Sequence, residues 1–164
     1  MFPHTDADGN ICGYELKNKG GFTGFASGGK KGVFLSNVSA SDRRLVITES
    51  GIDALSHLAL FGDPDARYAS IAGKPTFAQY AIIRGAVLAM PGGAEIVAGT
   101  DSDEAGGQLA DRLKEIFDEC GRANLTFRRE APDGAKDWND LLRIGIQRRP
   151  LPPQTLRSLG RHFS

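Results

Sequence analysis

From residue 45 onwards the chain alternates short apolar runs rich in β-branched residues with longer segments of helical periodicity. The predicted strands are 45–49, 68–72, 95–100 and 125–129, and the predicted helices between them are 52–61, 76–90 and 104–120. In the last helix Leu109, Leu113 and Ile116 recur at helical spacing, which predicts one buried face. Strands that alternate with helices indicate a parallel sheet covered by helices and joined by right-handed crossovers. We therefore expect an α/β fold.

Acidic residues stand at the ends of two predicted strands. Glu49 ends the first strand, and Asp101, Asp103 and Glu104 follow the third, shortly before Gly106 and Gly107. Because ligands of open parallel sheets bind beyond the carboxyl ends of the strands, we expect these carboxylates to converge at one edge. Clustered carboxylates repel each other unless a proton or a cation compensates them, and oxygen ligands suit Mg²⁺. The alternative interpretation is that the acidic segment only caps a helix N-terminus.

Two further elements are predicted at the same edge. The segment 134–142, GAKDWNDLL, places Asp137 and Asp140 at the start of a short helix, where Asp137 is also a plausible N-cap and Asp140 a solvated acid. Lys74 lies in the loop after the second predicted strand. We expect its ammonium group to contact a phosphate or a transition state.

The segments ESGIDALS, TDSDEAGG and KDWNDLL together resemble the TOPRIM domain of bacterial primases, type IA and type II topoisomerases, and certain nucleases and recombination-repair proteins. The resemblance covers roughly residues 44–143 and is closest to primase-type domains of plasmid mobilisation, phage and mobile-element proteins. It implies a Rossmann-like TOPRIM fold with a central, mostly parallel four-stranded sheet flanked by helices. Ser50 stands where cellular primases usually carry glycine, which weakens the similarity to an ordinary replicative primase.

The resemblance also implies roles for the acidic residues. Glu49 corresponds to a general acid/base or metal ligand, and Asp101 and Asp103 correspond to ligands of Mg²⁺, with Mn²⁺ as an alternative ion. We add Asp137 to this predicted metal-binding set, because the DWND-like segment recurs in the same domains.

Residues 1–40 differ from the rest of the chain, because they are rich in glycine and contain a DADGN turn between short alternating segments. Strands are predicted at 11–16 and 33–35, and this β-rich piece resembles the small subdomain that precedes TOPRIM in primases. The loop GGKKG could offer Lys30 and Lys31 to a phosphate, but it lacks the spacing of a P-loop. The predicted division is a β-rich subdomain at 1–40, a TOPRIM domain at 41–146 and a tail at 147–164.

Composition excludes several classes of protein. With 40% hydrophobic and 24% charged residues the chain can bury a core, and no run approaches the ~18 apolar residues that cross a bilayer. Cys12 and Cys120 form no CxxC pair, so the sequence predicts no zinc ribbon. We expect a cytoplasmic protein with no membrane partner. His57 lies on a predicted helix, and we expect it to be a surface or boundary residue.

The predicted function is Mg²⁺-dependent nucleotidyl or phosphoryl transfer on nucleic acid, most simply single-stranded DNA, with nucleoside triphosphates as substrates if the domain is primase-like. A role in plasmid mobilisation or DNA replication and a helicase or relaxase partner follow from the resemblance. The acidic site alone does not separate this activity from that of a TOPRIM nuclease. A non-catalytic module that binds metal, nucleic acid or a partner protein is the third interpretation. Net charge is zero, with 20 basic and 20 acidic residues, so overall charge does not predict nucleic-acid binding.

Overall fold

The structure, a computed structural model, describes residues 1–18 and 23–148. The four strands predicted from residue 45 onwards and the three helices between them are confirmed, although their ends differ by one or two residues from the prediction. The strands are β1 (Phe2–Thr5), β2 (Ile11–Lys17), β3 (Thr23–Phe25), β4 (Phe34–Leu35), β5 (Arg44–Thr48), β6 (Ala66–Ser70), β7 (Glu95–Gly99) and β8 (Thr126–Glu130), and the helices are α1 (Gly51–Phe61), α2 (Phe77–Leu88), α3 (Glu104–Glu119) and α4 (Trp138–Arg148).

The central sheet has the strand order β4-β6-β5-β7-β8. The four predicted strands run parallel, and β4 adds an antiparallel edge strand next to β6. Thr48 of β5 pairs with Ser70 on one side and with Gly99 on the other. The residues after these three positions therefore leave the sheet at one common edge, which confirms the predicted convergence of the strand ends.

The N-terminal piece is a separate antiparallel sheet with the order β1-β2-β3. Its DADGN turn closes as predicted, because the N–H of Asp6 donates to the carbonyl of Asn10 and Gly9 adopts a φ of 81°. The strand predicted at 33–35 connects the two sheets. Val33 forms a bridge with Thr5 of β1, whereas Phe34 and Leu35 pair with β6. The β-rich piece and the central sheet are thus joined through one short segment.

Apolar side chains from α2, α3 and the sheet form the main core. Leu109, Leu113 and Ile116 of α3 are buried in it, as their spacing predicted. Helix α1 covers the other face of the sheet, where Ala54 packs with Val46, Tyr68 and Val97. Among the described helices none is long and apolar enough to cross a membrane. Residues 149–164, most of the predicted tail, lie outside the described residues.

The prediction for His57 was wrong, because this side chain is only 2% exposed. Its ring contacts Trp138 of α4, and its two ring nitrogens lie 3.0 Å from the Tyr68 hydroxyl and 3.2 Å from a Glu130 carboxylate oxygen. Helix α4 packs against α1 and covers the side on which His57 lies. Local periodicity within α1 cannot reveal this packing, because α4 is distant in sequence.

Candidate functional site

Glu49 follows β5 directly and is tied to two neighbouring loops. Its side chain accepts a hydrogen bond from the backbone N–H of Asp101 at 3.1 Å, and its carbonyl accepts one from Gly73 at 3.1 Å. Burial raises the pKa of the Glu49 carboxyl, and the negative charges of Asp103 and Asp53 raise it further. Glu49 therefore holds a proton more readily than a solvated glutamate does.

Asp101 is the most strongly perturbed acid of the site. Burial raises the pKa of its carboxyl to about 7, and the charges of Glu49, Asp53, Asp137 and Asp103 contribute in that order. Its Oδ1 atom is buried and has no hydrogen-bond partner among the described residues. A buried acceptor without a partner is costly, so this oxygen is suited to a proton or a cation.

Asp103 is the N-cap of α3, as the capping alternative predicted. Its carboxylate accepts a hydrogen bond from the N–H of Gly106 at 2.9 Å. A Cβ atom on Gly106 would lie 2.2 Å from the carbonyl oxygen of Asp101. Only glycine therefore permits this tight turn, which places Asp101 and Asp103 beside each other. Capping occupies one oxygen of Asp103 and leaves the exposed side chain available for a second interaction.

Sequence reasoning missed Asp53 as a member of the acidic group. It is 5% exposed and hydrogen-bonds the hydroxyl of Ser50, the N-cap of α1. Burial raises the pKa of Asp53, while the Ser50 hydrogen bond lowers it, and its Oδ1 also accepts the N–H of Asn139 at 3.3 Å. The spacing Ser-x-x-Asp at a helix start was the available signal.

The DWND-like segment supports the loop that carries Asp101. The Trp138 indole N–H donates to the carbonyl of Gly99 at 2.9 Å. Ser102 donates its N–H to the carbonyl of Lys136 at 2.9 Å and its hydroxyl to the carbonyl of Ala135 at 2.8 Å. These bonds hold the segment against the end of β7.

Asp137 and Asp140 of this segment have different positions. The N–H of Asp140 donates to Asp137 at 2.7 Å, so Asp137 caps α4 as the alternative predicted. The charge of Asp137 also raises the pKa of Asp101 and of Asp53, which places it in the acidic group. Asp140 lies 3.8 Å from Arg143 on a partly exposed side of the helix.

The three predicted phosphate-binding lysines have different environments. Lys74 is exposed and lines a cavity together with Glu49. The ammonium group of Lys31 donates to the carbonyls of Ala72 and Lys74 at 3.0 and 3.1 Å, so it holds the Lys74 loop. Lys30 is exposed, and its backbone pairs with that of Cys12. The structure thus brings Lys74 to the acids and gives Lys31 a structural contact.

Three other cations, which sequence reasoning did not assign to the site, surround the acids. Lys17 donates to the Ser50 hydroxyl at 3.0 Å. Arg129 donates to the carbonyl of Asp101 at 3.0 Å. Lys136 lowers the pKa of Glu49 through its charge. These residues come from β2, β8 and the loop before α4, so no local sequence pattern links them to the acids.

The acidic group fits a hard divalent cation by the chemistry of its donors. All the acids supply carboxylate oxygens, and the unpaired buried oxygen of Asp101 lies among neighbouring negative charges. In the conformation described, residues 1–18 and 23–148 contain no group of three or more acidic, histidine or cysteine side chains already placed to hold one ion.

Comparisons with known proteins identify the family. No curated protein matches the sequence. The primase fragment of the bacteriophage T7 primase-helicase protein matches the structure with a TM-score of 0.56 and 18% identity over 89% of this chain, which spans 57% of that fragment. A second match, with a TM-score of 0.52 and 19% identity, comes from the T7 lagging-strand DNA polymerase interacting with primase domains bound to an RNA/DNA hybrid and dTTP; it covers 90% of this chain and 71% of the other. At these low identities, the two TM-scores show a shared fold. The model of the Toprim-like family matches residues 46–142, more than half of the sequence, and the chain therefore belongs to the Toprim-like family.

Proposed function

We propose that this protein is a primase-like domain that carries out divalent-metal-dependent nucleotidyl or phosphoryl transfer on nucleic acid. The observation that carries the proposal is the Asp101 carboxyl, whose Oδ1 atom is buried without a hydrogen-bond partner and lies among the charges of other acids. Such a group is expected where a cation or a reacting phosphate is to be bound. Membership of the Toprim-like family supports this interpretation.

Glu49, Asp101, Asp103 and Asp137 would hold the metal, which is Mg²⁺ or alternatively Mn²⁺. Domains of this family generally bind Mg²⁺. When bound, the ion orients phosphate oxygens and offsets the negative charge of the transition state. Asp53 lies deeper, where Ser50 and Asn139 hold it, and we assign it to the support of the N-terminus of α1.

The chain's own residues supply proton transfer and phosphate contacts. If Glu49 does not hold the metal itself, its carboxylate would accept the proton of an attacking hydroxyl group. Lys74, Lys17 and Arg129 surround the acids and can neutralise phosphates. Acidic side chains for the cation and basic side chains for the phosphates thus lie at the same end of the sheet.

The proposed substrates are single-stranded DNA and nucleoside triphosphates. Support comes from the matched T7 structure, in which primase domains are bound to an RNA/DNA hybrid and dTTP. The other T7 match is a fragment of a primase-helicase protein, which supports a helicase as a partner; a relaxase is the alternative. We place the activity in the cytoplasm, in DNA replication or plasmid mobilisation.

A non-catalytic module that binds metal and nucleic acid is the second candidate. One observation favours it. Net charge is zero, with 20 basic and 20 acidic residues, so the chain lacks the excess of positive charge that is typical of domains that bind nucleic acid on their own. In this case a partner protein would supply the remaining part of an active site.

The test incubates the purified chain with labelled single-stranded DNA, nucleoside triphosphates and Mg²⁺ or Mn²⁺, and sizes the products on a denaturing gel. Asp101→Asn is the test variant, and Asp140→Asn is the matched control because Asp140 lies outside the proposed metal set. Extended strands that disappear in Asp101→Asn alone support the transferase. Shortened strands indicate a nuclease instead. Unchanged substrates, with Mg²⁺ binding retained, leave the non-catalytic module.

A further inference from the structure

A cavity of about 380 Å³ lies between the loop after β6 and the first turns of α3, and Glu49 forms part of its lining. Its apolar surface comes from Pro75, Tyr80 and Leu109, and its polar groups from Glu49, Lys74 and Gln108. Ligand sites in proteins have volumes of about 300–1,000 Å³ and combine apolar walls with a few polar groups. The cavity is therefore large enough for the ring system of a small organic ligand.

The Tyr80 ring in the lining of this cavity is held by a neighbouring cation and by its position in the chain. The guanidinium group of Arg112 lies over the Tyr80 ring, 5.2 Å from its centroid. Tyr80 follows Gln79, whose buried amide donates to the carbonyls of Gly32 and Ile71 at 2.7 and 2.6 Å. A ring held in this way can stack on a planar ligand without a large loss of its own conformational freedom.

The loop wall is also preformed. Ala72 has a φ of 56°, a left-handed conformation that a residue with a side chain adopts only when surrounding contacts impose it. Lys31 supplies two such contacts through the carbonyls of Ala72 and Lys74. The N–H of Gly73 adds a third by donating to the carbonyl of Glu49. The cavity wall is thus coupled directly to a proposed metal-binding residue.

We infer that this cavity binds the base of a free nucleotide whose phosphates lie at the acidic edge. This inference rests on the proposed function, because Glu49 belongs both to the cavity lining and to the proposed metal set. The Tyr80 ring offers a stacking surface, and the Gln108 amide offers both a donor and an acceptor to the edge of a base. Lys74 also lines the cavity, and its ammonium group would contact the phosphates of the nucleotide.

The first experiment measures binding of ATP, GTP, CTP and UTP by calorimetry in the presence of Mg²⁺ and in the absence of DNA. Inorganic triphosphate serves as the probe without a base. Tyr80→Ala removes the stacking surface, Tyr80→Phe retains it, and Phe77→Ala removes an exposed aromatic ring that lies on the same helix but outside the cavity lining. We expect at least one nucleotide to bind at least tenfold more weakly to Tyr80→Ala, with triphosphate binding unchanged within twofold. Tyr80→Phe and Phe77→Ala should resemble wild type.

Three outcomes overturn the inference. Equal weakening of nucleotide and triphosphate binding would show that Tyr80 supports only the fold, and unchanged nucleotide binding would show that the base lies elsewhere. The third outcome is that free nucleotides do not bind, whereas a single-stranded oligonucleotide binds and Tyr80→Ala weakens that binding. The occupant of the cavity would then be a base of the strand.

A separate arm distinguishes failure of the inference from failure of the proposed function. Binding of the free nucleosides adenosine, guanosine, cytidine and uridine depends on the cavity alone, whereas Mg²⁺ binding depends on the acids alone. Mg²⁺ binding without any effect of Tyr80→Ala leaves the metal site intact and excludes the base pocket. Nucleoside binding that Tyr80→Ala abolishes, in a protein that binds no Mg²⁺, supports the pocket and contradicts the proposed function.

Discussion

Charged residues lie at both ends of the central sheet and on the same strands, but the two ends differ in how these charges are paired. At the amino end Arg44 contacts Asp63 at 2.6 Å and Glu95 at 2.8 Å, and Arg128 contacts Glu95 at 2.7 Å. Positive and negative side chains alternate across neighbouring strands there. Each charge has a partner of opposite sign, so this amino-end network is neutralised within the protein.

At the carboxyl end the acids of the candidate site lack such partners. None of the ion pairs among the described residues includes Glu49, Asp53 or Asp101. The nearby cations donate to neutral groups instead, Lys17 to a hydroxyl and Arg129 to a backbone carbonyl. Burial raises the pKa values of these three acids, and repulsion from the neighbouring acids raises them further. A balanced network stabilises the folded chain alone, whereas an unbalanced one is completed by a ligand.

The largest expected effect is that of Asp101→Asn. Its carboxyl has a pKa of about 7 in the folded protein against an ordinary value of 3.8, so metal-free wild type loses stability as pH rises between these values. That difference corresponds to about 4 kcal/mol, and partial exposure reduces it to about 2 kcal/mol. We expect metal-free Asp101→Asn to be more stable than wild type by this amount at pH 8, as measured by urea unfolding.

The same variant should lose the response to Mg²⁺. A ligand at about 100 times its Kd stabilises a folded protein by about 2.7 kcal/mol. We expect saturating Mg²⁺ to raise the unfolding free energy of wild type but not of Asp101→Asn. If Mg²⁺ stabilised both proteins equally, the carboxyl end would not be the metal site and the comparison would fail.

Glu95→Gln tests the opposite end. The substitution removes the charge that both Arg44 and Arg128 contact, and these side chains are partly exposed. We expect a loss of about 1 kcal/mol in unfolding free energy, because pairs of this exposure contribute modestly. Mg²⁺ titration followed by thermal unfolding should give the wild-type affinity. A weakened affinity would mean that the two ends are coupled through the strands.

The pH dependence of His57 sharpens the comparison, because this side chain connects α1 with Glu130 of β8. Burial lowers the pKa of His57 below 6.5, so the unfolded chain binds a proton that the folded chain resists as pH falls below 6.5. Stability contributed by neutral His57 is therefore present above pH 6.5 and declines below it. The His57→Gln variant should show a shallower decline between pH 6.5 and 5. His4 also has a lowered pKa and is retained in both proteins, so the difference between the two slopes reports His57. Identical slopes would show that His57 does not titrate in this range.

The smallest effect is expected on the exposed side of α3. Lys114 pairs with Asp118 at 2.6 Å, but about half of each side chain is exposed. Lys114→Ala should change the unfolding free energy by less than about 0.5 kcal/mol. Lys114→Ala removes an ion pair that is more exposed than those of the amino-end network. If it lowered the unfolding free energy as much as Glu95→Gln does, the amino-end network would contribute no more than an exposed ion pair.

Much of the fold could be predicted because its signals are local. The β-branched runs gave the four parallel strands, and the spacing of Leu109 and Leu113 gave the buried face of α3. The acids at strand ends followed from one general property of parallel sheets. A strand was predicted at 33–35, but its antiparallel pairing with β6 was not, since the two residues of β4 carry too little periodicity to indicate a partner.

Residues whose positions depend on distant partners could not be predicted. His57 was expected at the surface and lies beneath Trp138. The contacts of the Lys31 ammonium group with the carbonyls of Ala72 and Lys74 were not foreseen either. Glu15 of β2 was not singled out, yet its buried carboxylate accepts the N–H of Gly51 at the start of α1. In each case the partner comes from another element of the fold.

The sequence by itself determined the α/β class, the position of acidic residues directly after β5 and β7, and membership of the Toprim-like family. These properties depend on residue type and spacing within short segments. Only the tertiary structure decided that Asp53 joins the acidic group, that Lys17 and Arg129 border it, and that Tyr80 and Gln108 line a cavity beside Glu49. The physical reason is that pKa shifts and cavities arise from distances between side chains, and those distances are set when distant strands and helices pack together.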